Sequence, residues 1–125
     1  MNNHLADMIS RIRVAIIKRA TFVIVKNTKE CAKILTKLYI DGYIRHLDSN
    51  SESIKIIFNY KNNMISLRDF QLVSKPGYKK YISVKNLRSR HNYDYDMYIM
   101  TNIGLLNKKE AIAENKGGIG ILTIR

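Results

Sequence analysis

Between Val73 and Arg90 the chain gathers the groups that hold a phosphate backbone: Lys75, Lys79, Lys80, Lys85, Arg88 and Arg90, with no acid among them. Cations meet phosphate, and the flat ring of Tyr81, directly after the Lys79-Lys80 pair, can lie on a base or a ribose. Pro76, the single proline of the sequence, is followed by Gly77 in the middle of this stretch. The proline ring presets one backbone angle and glycine accepts the positive φ that the next position of a turn can need. The pair therefore predicts a fixed turn that presents Lys75, Lys79, Lys80 and Tyr81. A basic turn taken alone is equally a solvated hairpin tip, so the weight falls on the rest of the chain.

The formal charge is +12 with pI ≈ 9.9, a density that self-repels unless a polyanion shares the surface. Residues 1–66 carry 11 basic and 5 acidic groups, as do residues 67–125, so each half nets +6. At 125 residues with 46% hydrophobic content the chain fits one domain or two small, joined lobes. Cys31 stands alone and cannot form an internal disulfide; in an apolar stripe it acts as a small hydrophobe. No apolar run approaches the roughly 18 residues that span a bilayer, which argues against a membrane partner. Met-Asn-Asn-His leads straight into an amphipathic helix, leaving no space for a signal or transit peptide, so the product is expected to work where it is made. Lys, Ile, Asn and Tyr, all with AT-rich codons, make up 53 residues, a bias typical of an organellar genome.

The elements that must position these groups follow from periodicity. Leu5, Met8, Ile9, Ile12, Ala15 and Ile16 recur at spacings of three and four, one buried face of a helix over 4–19, with Asp7 and Arg11 paired outside. Thr21 to Lys26 reads as a strand. Asn27 with Glu30 three residues on resembles a capping box for a second helix, striped by Cys31, Ile34, Leu35 and Leu38 and stopped by Gly42. Residues 43–47 and 54–60 read as strands around a polar turn. In the second half, 64–68, 70–73, 80–84, 97–100 and 119–124 read as strands, 86–96 as a linking loop, and 106–115 as a short helix capped by Asn107 with Glu110 behind it, broken by Gly117-Gly118. The expectation is an α+β chain of two small α/β lobes: residues 1–66 as helix-strand-helix-strand-strand, and residues 67–125 mainly β with one short helix.

One cluster could do catalysis: His91, Asp94 and Asp96 place an imidazole and two carboxylates close in sequence, as a metal-dependent nuclease would need. Metal sites need a fuller ligand set, and Tyr93 and Tyr95 interleave the acids in a loop-like segment. No catalytic residue, metal or cofactor is assigned.

The order of elements and their local residues resemble the small-subunit ribosomal protein number eight family, in its bacterial or organellar form. Leu5-Ala6-Asp7-Met8-Ile9-Ser10-Arg11-Ile12-Arg13 is similar to its opening helix, and Val73-Ser74-Lys75-Pro76-Gly77 with Tyr81 to its Val-Ser-Arg-Pro-Gly and downstream tyrosine. Glu110-Ala111 and Gly117-Gly118 fall where the family has its last helix and final Gly-Gly turn. The likeness extends from Leu5 to Ile124. Departures mark a divergent member: Val14 for an asparagine, Arg88 for a proline, Ile119 for a glutamate, and Met100 and Ile103 within the loop described next.

The resemblance implies a non-enzymatic two-lobed protein that binds the central domain of small-subunit rRNA, as a monomer among neighbouring small-subunit ribosomal proteins. Its main RNA loop, of pattern Ser-Thr-Ser-x-Gly, corresponds to Met100-Thr101-Asn102-Ile103-Gly104, with Thr101 and Gly104 keeping the pattern and Asn102 able to donate and accept. Thr101, Asn102 and Gly104 are thus expected at a minor groove or an extruded base, Tyr81 on a ribose or base, and Lys75, Lys79, Lys80, Lys108 and Lys109 on phosphates. Arg11 and Arg13 are expected on a second rRNA segment. A free regulatory RNA-binder, repressing its own message, could use the same surface. Codon bias and the absent presequence favour an organelle-encoded mitochondrial ribosomal protein, with a plastid or the bacterial cytoplasm as alternatives.

Overall fold

The computed structural model describes residues 3–61, 64, 65, 67, 70–73, 79–89 and 96–124. It divides into two compact units, residues 2–70 and 71–125.

The first unit packs two helices on one face of a three-stranded antiparallel sheet. Helix α1 (Asn3–Ile17) buries Leu5, Met8, Ile9, Ile12 and Ala15, the stripe its spacing predicts, while Ile16 is only half-buried. Strand β1 (Phe22–Lys26) follows, then α2 (Lys29–Ile40), which buries Cys31, Ile34, Leu35 and Leu38. Strands β2 (Ile44–Ser49) and β3 (Ser53–Phe58) complete the sheet in the order β1-β3-β2. Val25, Ile44, Ile54, Ile56 and Phe58 supply its buried side. A small hairpin, β4 (Tyr60–Lys61) with β5 (Met64–Ile65), ends the regular part.

The cap of α2 differs by one residue from expectation. Thr28 is the N-cap, its hydroxyl accepting from the Cys31 amide at 3.2 Å. Asn27 is occupied elsewhere: its side-chain amide donates to the Asn50 carbonyl at 2.7 Å. There the Asn50 side chain in turn accepts from the amides of Glu52 and Ser53, both at 2.8 Å, which fixes the β2–β3 turn. Burial raises the pKa of the Cys31 thiol, consistent with a packing rather than a redox role.

The second unit is built around its last strand. Strands β6 (Gln71–Leu72) and β7 (Tyr81–Ile82), helix α3 (Val84–Ser89), the hairpin β8 (Asp96–Thr101) and β9 (Gly104–Asn107), helix α4 (Lys108–Ala113) and β10 (Gly118–Ile124) follow in order. β10 pairs along one edge with β8 and along the other with β6 and β7, all antiparallel. Ile82, Leu87, Met97, Ile99 and Ala111 form one buried cluster, with Leu106 and Ile112 packed against them, and Tyr98, Ile121, Leu122 and Ile124 are buried as well.

Helix α3 corrects the first part of the segment read as a loop over 86–96, of which residues 90–95 lie outside the described residues. Its start is held by Ser83, whose hydroxyl accepts from the Asn86 amide, and its one buried anchor, Leu87, is too little to make a period visible in sequence. Strand β9 likewise takes residues assigned to the last helix, which begins at Lys108. The Asn107 cap is as expected: its side chain accepts from the Glu110 amide at 2.9 Å, and the Glu110 carboxylate accepts from the Asn107 amide at 3.1 Å. No helix among the described residues is long and apolar enough to cross a membrane.

Candidate functional site

The site begins with a two-residue hairpin loop. Thr101 and Gly104 are the last pair of the β8–β9 ladder, leaving Asn102 and Ile103 exposed between them. The Thr101 hydroxyl donates to the Gly104 carbonyl at 2.8 Å and accepts from the Ile103 amide at 3.2 Å, pinning the loop from inside. Gly104 sits at φ +127, where a side chain would be strained. Thr101 itself is buried, so it shapes the loop and Asn102 is the polar group the loop presents.

Double pairing of β10 brings this loop beside Tyr81. Ile119 stands opposite Met100 on one side and opposite Tyr81 on the other. Residues directly opposite in antiparallel pairs share a face, so Tyr81, Ile119 and Met100 form one row across the sheet. That row, with Thr101, Asn102 and the segment 115–118, lines an open cleft of about 550 Å³. Two glycines let the walls close up. A Cβ on Gly117 would come within 2.7 Å of the Ile82 carbonyl and 3.0 Å of the Tyr81 hydroxyl, and one on Gly118 would collide with the Met100 carbonyl. Tyr81 is 67% exposed, a ring on the surface rather than the half-buried strand aromatic it could have been.

The cations divide. Lys79, Lys80 and Lys109 are exposed, outside the lining of the cleft. Lys116 lines the cleft, a position that the sequence reading does not single out; its neighbour Asn115 accepts at its side-chain oxygen from Arg88 at 3.2 Å, tying the end of α4 to α3. The adjacent Gly117-Gly118 pair is the available signal for both. Lys75 and the Pro76-Gly77 turn lie outside the described residues. In the first unit Arg11 and Arg13 are both exposed on α1, and Arg11 is paired with Asp7 at 3.0 Å.

Lys108 departs from the expectation of a phosphate-facing cation: it is 4% exposed. Desolvation lowers the pKa of its ammonium, and the nearby Asp96 carboxylate partly offsets this. Because the folded state disfavours the charged form, it binds fewer protons than the unfolded chain between the lowered value and the ordinary lysine range near 10.4. Stability carried by this group is expected to rise with pH through that window. Urea melts at pH 7 to 10.5 should show that rise in the native chain and a flatter profile in Lys108→Met.

The catalytic alternative finds no support at Asp96. Its carboxylate accepts from the Met97 amide at 2.8 Å and the Lys108 amide at 3.4 Å, joining the start of β8 to the start of α4. His91 and Asp94 lie outside the described residues. Among the described residues no group of three or more His, Cys, Asp or Glu side chains could hold a metal ion.

A strongly basic α+β chain whose open cleft carries a ring, an amide and an ammonium has the features of a binding module. The family model for ribosomal protein S8 matches residues 3–124, and the chain belongs to that family. It is 32% identical over 118 residues to the small ribosomal subunit protein uS8 of Mycoplasmopsis agalactiae, covering 91% of this chain and 90% of the relative. The uS8 of Bartonella tribocorum is 32% identical over 123 residues, covering 94% and 93%. The small ribosomal subunit protein uS8m of Acanthamoeba castellanii is also 32% identical, over 124 residues, covering 96% and 97%.

Proposed function

We propose that this chain is a structural component of the small ribosomal subunit, binding the central domain of small-subunit rRNA through the cleft at the start of β7, the end of β8 and the start of β10. The observation that carries the reading is the meeting of Tyr81, Asn102 and Lys116 around one cleft in a chain of charge +12. A folded RNA junction offers 2′-hydroxyls, a shallow groove and unstacked bases, which suit an exposed ring and an amide. In this reading Tyr81 packs on a base or ribose and Asn102 hydrogen-bonds a base or ribose edge. Thr101 and Gly104 hold the loop that presents Asn102. Lys79, Lys80, Lys109 and Lys116 meet phosphates, as does Lys75, four residues before Lys79 in the sequence. Arg13 makes a second RNA contact, to which Arg11 adds less because it shares its charge with Asp7. Neighbouring ribosomal proteins complete the surroundings, and the role is assembly rather than catalysis.

Salt dependence tests the pairing of lysine with phosphate. Lys79→Ala with Lys80→Ala is expected to reduce the slope of log affinity against log salt by about 0.7 to 0.9 for each phosphate no longer neutralised. Filter binding to an rRNA central-domain fragment across a salt series measures this, and an unchanged slope would mean that both lysines face solvent in the complex. The AT-rich residue bias supports a mitochondrial ribosome and an organellar gene; sedimentation of the chain with mitochondrial small subunits tests that assignment.

A further inference from the structure

The opposite end of the chain carries a surface that RNA does not explain. Strand β1 is an edge of its sheet and, among the described residues, is paired to β3 alone. Edge strands ordinarily carry charge or proline that discourages further pairing. This one reads Phe22-Val23-Ile24-Val25 before its first charge at Lys26. Phe22 and Ile24 are exposed on the side away from the helices, at 46% and 50%. On the helix side a shallow groove of about 400 Å³ runs between α1 and β1, lined by Ser10, Val14, Ala15, Ala20 and Val23. Arg11 and Lys18 complete that lining, and Val14 and Ile17 are exposed near it on α1 at 49% and 79%.

We infer that β1 is a docking edge for an extended segment of a neighbouring protein, which adds to the sheet as a further strand. A strand laid along β1 projects its side chains alternately to the two faces. One set enters the groove over Val14, Ala15, Ala20 and Val23; the other lies beside Phe22 and Ile24. Both destinations are apolar, so the inserted segment is apolar on both faces over roughly the five residues that β1 offers. Both borders are cationic. Lys18 borders the groove beside Arg11, which Asp7 already pairs, and Lys26 and Lys55 border the outer face, Lys55 with its ammonium 4.5 Å from the Phe22 ring centre. Carboxylates flanking the apolar stretch complement both borders. A phosphate backbone would meet those cations but would leave the apolar band between them against solvent or ribose, which favours a polypeptide over RNA.

The inference rests on residence in the small subunit. The test uses subunits assembled with the full chain carrying a photoreactive side chain at Ile24, compared with the same group at Lys33, exposed on α2. Light is expected to give a polypeptide adduct from position 24 and none from 33, with exchange of the amides of residues 22–26 slowed at least about tenfold against the free chain. Thermal melting of the Ile24 variant confirms its fold beforehand. An adduct to rRNA, or no adduct with unprotected amides, overturns the docking edge and leaves the ribosomal reading standing. Absence of the chain from purified subunits overturns both.

Discussion

Gly118→Ala is expected to destabilise the second unit by about 3 kcal/mol, the upper part of the range for overpacking a site that cannot relax. The clash is with backbone: the added carbon collides with the Met100 carbonyl oxygen and lies 2.8 Å from its carbon, while Ile99 Cγ2 stands 3.1 Å away. No rotamer change relieves it; β8 and β10 must move apart at the point where they pair. Gly104→Ala is the control. It would meet nothing within 4 Å and bear only the strain of its positive φ, about 1–3 kcal/mol. Chemical denaturation followed by circular dichroism separates the two. RNA affinity should fall in Gly118→Ala even where the protein remains folded, because opening β8 from β10 moves Asn102 away from Tyr81. A loss of stability smaller than that of Gly104→Ala would mean that the two strands separate easily, and that close approach is not what the glycine provides.

That glycine also shows how far the sequence can be read. Gly117-Gly118 announces a break before the last strand, and the alternation and β-branched content of 119–124 announce the strand itself. Neither says which strands lie on its two edges, since a hydrophobic pattern reports burial and not partnership. The cleft exists because of that partnership: Tyr81, Asn102 and Lys116 come from different segments and meet only when β10 takes β7 on one side and β8 on the other. For this reason Lys116 carries no sequence signal beyond the adjacent Gly117-Gly118 pair. Lys108 misleads for a related one, because a Lys-Lys pair at a helix start looks solvated, and nothing local reveals that Asp96 lies beside the first of them.

Elements with strong local signals are legible almost to the residue. The α1 and α2 stripes and the Asn107–Glu110 capping box each rest on contacts within one helix or its cap. Asn27 fails as the cap of α2 because two capping-competent residues stand side by side, and a long-range bond to Asn50 decides between them. Helix α3 escapes because one buried leucine makes no period. The family resemblance adds what pattern cannot, the expectation that the Thr101–Gly104 loop and Tyr81 both face RNA. It does not show that Thr101 turns inward.

That inward turn sharpens the test of recognition. Tyr81→Ala with Asn102→Ala is expected to weaken binding to the rRNA central-domain fragment by about 30- to 700-fold. A base or ribose stack is worth about 1–3 kcal/mol and a hydrogen bond from the amide about 1 kcal/mol, with tenfold in affinity for each 1.4 kcal/mol. Random duplex RNA, held by the lysines alone, should lose far less. In the proposed reading Thr101 acts through the loop, so Thr101→Ser, which keeps the hydroxyl that bonds Gly104 and Ile103, should bind almost as the native chain does. Thr101→Val keeps the shape, removes both bonds, and should behave like Asn102→Ala. Equal weakening on the two RNAs, or a Thr101→Ser variant as weak as Thr101→Val, would separate this loop from recognition and leave charge as the sole basis of binding.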